Sequence, residues 1–447
     1  MLRLCPARGA DRAGTEDLQD HPDRLSDHPP HSPPADPASL RPPIERGIRR
    51  IAAALLWRDF RILWFGAFTS TIGTWVQKVA QGWLVTTLTG SALYLGFDAF
   101  LGEVPFLLFT LIGGVVADRY SRRHLLMGSQ VVQMTCAFTL AALVATGVVT
   151  IWHILALSFV SGIAQAFGGP AYQSLLPSLV PKQDLPNAVA LNSIQFNLAR
   201  MIGPLIAGVT LAAFGMAICF GLNGLSFLVV ICALFMLRVE HTAPVLRLGL
   251  LDELRGGLSF VRHQPSLLTL MALAFVTAFL ALPLTTFLPI FAQDVLQGGA
   301  AQYAQMLSSS GAGAVTGALL VAYLGRFRHM GSMLLSAQAL LAVLVIAFCA
   351  SRSLWVSLVL LFGTGLTMMV VMSLTTSLVQ LIAPDEKRGR VMSIYMVAFR
   401  GGWPLGSLLS GYLISIGSAP VVFAVNAGIL LVISAALLVK GHAIRDA

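Results

Sequence analysis

The sequence predicts an all-α membrane protein whose twelve transmembrane helices form two six-helix, pseudo-symmetric halves. Three observations carry that expectation. Of 447 residues, 56% are hydrophobic and only 11% charged, with a mean hydropathy of +0.79, whereas soluble domains carry about 25% charged residues. Apolar stretches long enough to span a bilayer follow one another from Phe60 to Lys440. Basic residues recur in every second loop and almost vanish from the loops between, the bias that orients membrane helices. This composition excludes a soluble globule, a disordered chain and a fibre.

Residues 1–50 are rich in Pro, Asp, His and Arg, as in His28-Pro29-Pro30-His31. No core can form there, so the segment reads as a disordered tail without the apolar region of a secretory signal. Spans then fall at about 60–86, 93–117, 125–148, 151–175, 187–213 and 216–238. After a polar linker at 239–265 come about 266–290, 302–325, 331–350, 354–382, 390–416 and 419–440. Each is a helix because backbone in lipid must satisfy its own hydrogen bonds. The domains are therefore a tail (1–50), a first half (51–238), a cytoplasmic linker (239–265) and a second half (266–447).

Loop charges set the sidedness. Arg46, Arg49, Arg50 and Arg58 precede span one, and Arg119, Arg122 and Arg123 follow span two. Lys182 follows span four, and Arg247, Arg255 and Arg262 lie in the linker. Arg326 and Arg328 follow span eight, Lys387, Arg388 and Arg390 follow span ten, and Arg445 stands at the end. Arg352 alone breaks the pattern. Such alternation needs an even number of spans with both termini in the cytoplasm, in a multi-pass protein of the cell (inner) membrane. The net charge of +9 is then an orientation signal, and no nucleic-acid partner is expected.

An internal repeat supports two halves: Arg200-x-x-x-Pro204 in span five recurs as Arg400-x-x-x-Pro404 in span eleven. Duplicated halves around a midplane site are a transporter architecture. The loop Gly114-Val115-Val116-Ala117-Asp118-Arg119-Tyr120-Ser121-Arg122-Arg123 resembles the motif G-x-x-x-D-R-x-G-R-R of the major facilitator superfamily, with Ser121 where the family usually has Gly. The resemblance implies the major facilitator fold. It also implies that Asp118 meets the amino end of span eleven and holds the cytoplasmic side shut, and Gly114 would let helices approach closely. Ala190, Ala199, Gly203, Pro204, Ala207 and Gly208 are similar to the span-five motif of antiporters in that superfamily, with three alanines in place of glycines. Asn187-Ala188-Val189-Ala190-Leu191-Asn192-Ser193, Leu88-Thr89-Gly90-Ser91-Ala92 and Arg388-Gly389-Arg390-Val391-Met392-Ser393 resemble its secretion-effector branch, which includes enterobactin exporters and macrolide-efflux-like proteins. The implied function is a secondary active transporter that exports a small organic molecule, a siderophore or a drug-like compound, by proton antiport with alternating access. Macrolide or multidrug efflux is the alternative cargo reading, and a non-transporting receptor or scaffold the remaining rival.

Polar groups inside the spans are the candidate site. A charge at the bilayer centre costs at least roughly 2.5–3.5 kcal/mol, so it needs a partner or a water-filled cavity. Span one carries Thr74, Gln77, Lys78 and Gln81 on one face, span two Asp98 and Glu103, span four Ser161, Gln165 and Tyr172, and span five Ser193, Asn197 and Arg200. Arg400 is the main such group of the second half. Lys78 and Glu103 lie at similar depths, roughly 12 and 15 Å. They are expected to pair, with Glu103 exchanging the coupling proton and Asp98 as the alternative. Fully ionised, Lys78, Arg200 and Arg400 against Asp98 and Glu103 leave one positive charge, which favours an anionic or phenolic cargo. No G-x-x-x-x-G-K-[ST] and no Ser/His/Asp or paired-His grouping is present, so neither an ATP-driven pump nor an enzyme is expected. The five cysteines lack metal-ligand spacing, so no metal or other cofactor is expected. The expected partners are cargo, protons and the bilayer, with the chain a monomer.

Overall fold

Helices dominate because, from residue 58 on, apolar runs are broken only by short polar turns. The computed structural model describes residues 53–238, 259–325 and 329–440. The tail, most of the linker, Arg326, Arg328 and Arg445 therefore lie outside the described residues, as do the side chains of Asp118 and Arg119. The first half contains α1 (Arg58–Thr89), α2 (Ala92–Arg119), α3 (Arg122–Ala145), α4 (Ile151–Leu175), α5 (Leu185–Phe214) and α6 (Met216–Met236). In the second, α7 (Pro265–Leu280) runs on through a short α8 (Leu284–Ile290) and a π-helical turn at Phe291–Val295. There follow α9 (Ala300–Leu324), α10 (Met330–Ala350), α11 (Leu354–Ile382), α12 (Arg388–Ile416) and α13 (Ala419–Lys440). Span seven is thus α7 plus α8, and the break between them corrects the single helix expected at 266–290.

Ten of the twelve spans are long and apolar enough to cross a membrane on those grounds alone. The two that fall short are α1 and α12. Polar residues are spread along both, Gln77, Lys78 and Gln81 on α1 and Arg400, Ser407 and Ser410 on α12, and both helices border the interface between halves.

Equivalent helices pack alike in the two halves. Helix α2 packs on α4 as α9 packs on α11; α3 packs on α4 and α6 as α10 packs on α11 and α13; α1 packs on α5 as α7 packs on α12. Two seams join the halves, α2 against α12 and α5 against α9, and exchanging the halves converts one seam into the other. The expected pseudo-symmetry is therefore present in the packing.

Successive spans alternate in direction, so one end of the bundle carries Arg58, Arg122, Arg123, Lys182, Arg238, Lys387, Arg388 and Arg390, and the other end carries Arg352 alone among the described Lys and Arg residues. Two of the basic groups close helix ends. Arg122 Nη1 donates to Ser174 O at 3.0 Å in the last turn of α4, and Arg123 donates to Phe235 O at 2.9 Å and Leu237 O at 3.2 Å at the end of α6. Cations there satisfy terminal carbonyls and oppose the negative end of the helix dipole. The Asn187–Ser193 segment works similarly: Asn187 Oδ1 accepts the Ala54 N–H at 2.9 Å, and Asn192 Oδ1 accepts the Tyr172 hydroxyl at 2.7 Å. These bonds tie the start of α5 to the turn before α1 and to the end of α4.

Close helix approach in the loop-motif region rests on Gly113, not Gly114. A Cβ on Gly113 would run into the Ala166 carbonyl of α4, while one on Gly114 would meet nothing within 4 Å. Adjacent helical residues point about 100° apart, so only one of the two can face α4. Gly113→Val is expected to lower the detergent-solubilised unfolding temperature by several degrees, as overpacking of about 1–3 kcal/mol would, and Gly114→Ala to leave it unchanged. Equal temperatures for the two variants would refute that assignment.

Candidate functional site

The site is built mainly on α1, whose polar face looks partly into the first half and partly between the halves. A chain of side-chain hydrogen bonds crosses the first half and ends on Asp98. Ser226 Oγ of α6 donates to Asn223 Oδ1 (3.1 Å), Asn223 Nδ2 to Gln77 Oε1 (2.6 Å), and Gln77 Nε2 to Gln81 Oε1 (3.3 Å). Gln81 Nε2 then reaches both Asp98 oxygens at 2.8 Å, and Ser158 Oγ of α4 donates to Asp98 Oδ1 at 2.6 Å. Every donor in the chain points towards the carboxylate, so the amide dipoles add up on it. Four helices are tied together by one acidic group.

The cations sit elsewhere. Lys78 is exposed, although it lies in the middle of α1. Its Nζ stands 5.2 Å from the ring centre of Trp75 and 5.5 Å from that of Trp403 on α12. Contact with a residue of the second half shows that Lys78 faces the space between halves. Arg200 of α5 stacks at 5.7 Å on the same Trp75 ring, and Phe196 packs edge-on against that ring at 6.5 Å. Cation–indole contacts of this kind contribute about 0.5–2 kcal/mol each, most when water is excluded. The Arg200 Nε and the Trp403 indole N–H are buried donors with no acceptor among the described residues. Gly203 makes the arrangement fit, since a Cβ there would overlap that of Trp75.

The expected Lys78–Glu103 ion pair is not formed. Glu103 of α2 and Arg400 of α12 belong to the two helices of the α2–α12 seam, where the Arg400 guanidinium lies 4.0 Å from the Phe106 ring. Asp98 instead takes its hydrogen bonds from Gln81 and Ser158. Equal depth fixes position along a helix but not around it: Asp98 and Glu103, five residues apart, point roughly 140° away from each other. Gln165 is exposed on the α4 face that carries Ser158, and Pro204 is buried in α5 beside Gly203. Of the expected site residues, the structure thus joins Gln77, Gln81 and Asp98 in one network, Lys78 and Arg200 on one indole, and Glu103 and Arg400 at one seam. Sequence reading missed Ser158, Trp75, Trp403 and Asn223. Ser158 had a signal, being seven residues before Gln165 and fourteen before Tyr172 on one helix face.

The halves meet at the end opposite the basic loops. A Cβ on Gly96 would touch Ser407 O, one on Gly411 would touch Ala92 O, and one on Gly208 would lie 2.9 Å from Ala304 Cβ. Towards the basic end Gly114 has no neighbour, and Met396 and Val397 of α12 are exposed. Among the described glycines, the close contacts between α2 and α12 thus lie towards the end opposite the basic loops.

A family model described as transmembrane secretion effector matches residues 52–445. The chain belongs to that family. As a secretion-effector family member it is a multi-pass membrane transporter of the major facilitator type and not an enzyme. It is 28% identical over 361 residues to the multidrug efflux pump Tap of Mycolicibacterium fortuitum, covering 78% of this chain and 88% of that one. It is 24% identical to the staphyloferrin A transporter of Staphylococcus aureus (77% and 86% covered) and 21% identical to macrolide efflux protein A of Streptococcus pyogenes (79% and 89%). Among solved structures it resembles a peptide transporter POT in complex with sulfate (TM-score 0.70, 13% identity, 87% and 95% covered). It also resembles a bacterial homolog of the human lysosomal transporter Spinster (TM-score 0.64, 16% identity, 87% and 96% covered). At such identities these two likenesses establish the fold alone.

Proposed function

We propose that this transporter exports a small organic molecule from the cytoplasm in exchange for protons, with Asp98 as the group that takes up and releases the proton. The observation that carries the reading is the convergence of Gln81 and Ser158 on Asp98 inside the first half. A titratable group inside a spanning bundle marks an ion path by default. The basic end is the cytoplasmic one by the loop-charge bias, which puts both termini inside and makes this the inward-open state. Alternating access then closes the basic end and parts the seams at the other. Both halves belong to one chain, so a monomer suffices.

The cargo site is the cluster of Trp75, Lys78, Arg200 and Trp403. Its free hydrogen-bonding groups are all donors, and its walls are aromatic. An acceptor-rich, partly aromatic compound suits it, and a compact cation does not. Of the two cargo classes, siderophore and drug-like, a phenolic siderophore uses both the cations and the aromatic walls. Purified transporter in proteoliposomes with an imposed pH gradient tests the export reading: uphill movement of such a compound against inward proton flow is expected, and cargo movement indifferent to the gradient would refute antiport. Arg200→Ala should weaken cargo binding about 10- to 100-fold, the loss expected for one hydrogen bond to a charged group. Calorimetric affinity unchanged by that substitution would place the cargo elsewhere.

A further inference from the structure

Asp98 must meet protons from one side of the membrane at a time if the antiport reading holds, and the structure shows what stands between it and the outer end. Tyr303 is three residues into α9 and Asp98 six residues into α2, counted from the same, non-basic end of the bundle. The Tyr303 ring is 4% exposed and belongs to the second half, yet it seats against α1 of the first. Its hydroxyl would lie 3.0 Å from a Cβ on Gly82, the residue after Gln81. A side chain there would press on the hydroxyl and push the ring off its seat. Tyr303 belongs to a buried apolar cluster that draws on both halves and includes Leu84, Leu95, Phe287, Leu288 and Ile414. Asp98 is within electrostatic reach of the Tyr303 phenol. The polar groups that face the carboxylate are Gln81 and, by electrostatic reach, Lys78 from α1, Ser158 from α4 and Tyr303 from α9.

We propose that Tyr303 is the outer plug of the Asp98 proton site, a positioning residue of the second half that seals the carboxylate from the outer side while its ring rests on Gly82. When the halves part at that end, α9 carries the plug away and Asp98 gains outer protons. When they close, the plug reseats and the proton leaves only towards the face between the halves that carries Lys78. The proton's access thus alternates with the same movement that alternates the cargo's access. This rests on the antiport reading, since it needs Asp98 to be the group that exchanges the proton.

The test is passive proton leak in proteoliposomes holding the full chain and a pH-sensitive dye, with a pH step and no cargo. Tyr303→Ala is expected to raise the leak about tenfold or more, the change that loss of one ordinary barrier contact brings. The double variant Tyr303→Ala with Asp98→Asn should return to the wild-type rate, because the leak passes through the carboxylate. Tyr303→Phe should keep the seal, and Gly82→Ala, which displaces the ring without emptying the site, should leak in the same Asp98-dependent way. Gly82→Ala carries the test if Tyr303→Ala fails to fold. A leak that persists without Asp98 would show a mere packing defect and overturn the proposal. So would tight vesicles for both Tyr303→Ala and Gly82→Ala. If Asp98→Asn by itself leaves gradient-driven efflux intact, the antiport assignment fails first, and that outcome is read independently of the leak.

Discussion

Asp98→Asn is expected to collapse gradient-driven efflux to the level of energy-independent exchange. Asparagine keeps the shape and can still accept from Gln81 and Ser158, so folding and cargo binding should survive. What it loses is the proton. A driving force of 100 mV is worth about 2.3 kcal/mol per proton, which sustains a cargo gradient of roughly 50-fold. That gradient should fall to unity in the variant, while exchange of labelled for unlabelled cargo continues. Glu103→Gln should retain most of the driven efflux, because the hydrogen-bonded network converges on Asp98 and Glu103 points roughly 140° away from it around α2. The reverse outcome, with Glu103→Gln uncoupled and Asp98→Asn wild-type, would restore the assignment made on depth alone.

Gly203→Val should produce the largest structural effect. Its side chain would occupy the space of Trp75 Cβ and crowd the Ile72 carbonyl, 3.1 Å from a Cβ at this position. Both are on α1, and Pro204 beside it stiffens the same stretch of α5. No rotamer change relieves a clash with backbone and Cβ atoms, so α1 and α5 must separate, at a cost of about 3 kcal/mol or more. Trp75 would move with α1, removing the shared face on which Lys78 and Arg200 rest. Thermal unfolding in detergent should show a fall of several degrees, and cargo affinity should drop in whatever fraction stays folded. A variant that keeps both wild-type stability and wild-type affinity would mean that the contact between α1 and α5 is not needed at this point.

The loop signature from Gly114 to Arg123 illustrates how a motif and its mechanics separate. The motif residues were legible by type and spacing. Its last two residues, Arg122 and Arg123, close the ends of α4 and α6 through carbonyls that lie more than fifty and more than one hundred positions away in sequence. No local pattern names those partners. The close approach assigned to Gly114 belongs to Gly113 because neighbouring helix positions face different ways.

By itself the sequence determined the membrane environment, the twelve spans, their grouping into six and six, and the residue types that line the polar face of α1. Those properties are local: hydropathy, helix length and loop charge are each read within some twenty residues, and the bilayer imposes the same rule on every span. Only the tertiary structure decided which charges meet. Depth along a span can be counted from the loops, but the direction of a side chain around the helix axis, and which helix stands on that side, depend on packing between distant segments. That is why Lys78 and Glu103, matched in depth, do not meet: Lys78 lies between Trp75 and Trp403 from opposite halves, and Glu103 sits on a helix of the α2–α12 seam. A helix turns about 100° with each residue, so acids five positions apart on one span, Asp98 and Glu103, serve different neighbours, and the fold, not the spacing, decides that Asp98 is the one that Gln81 and Ser158 reach.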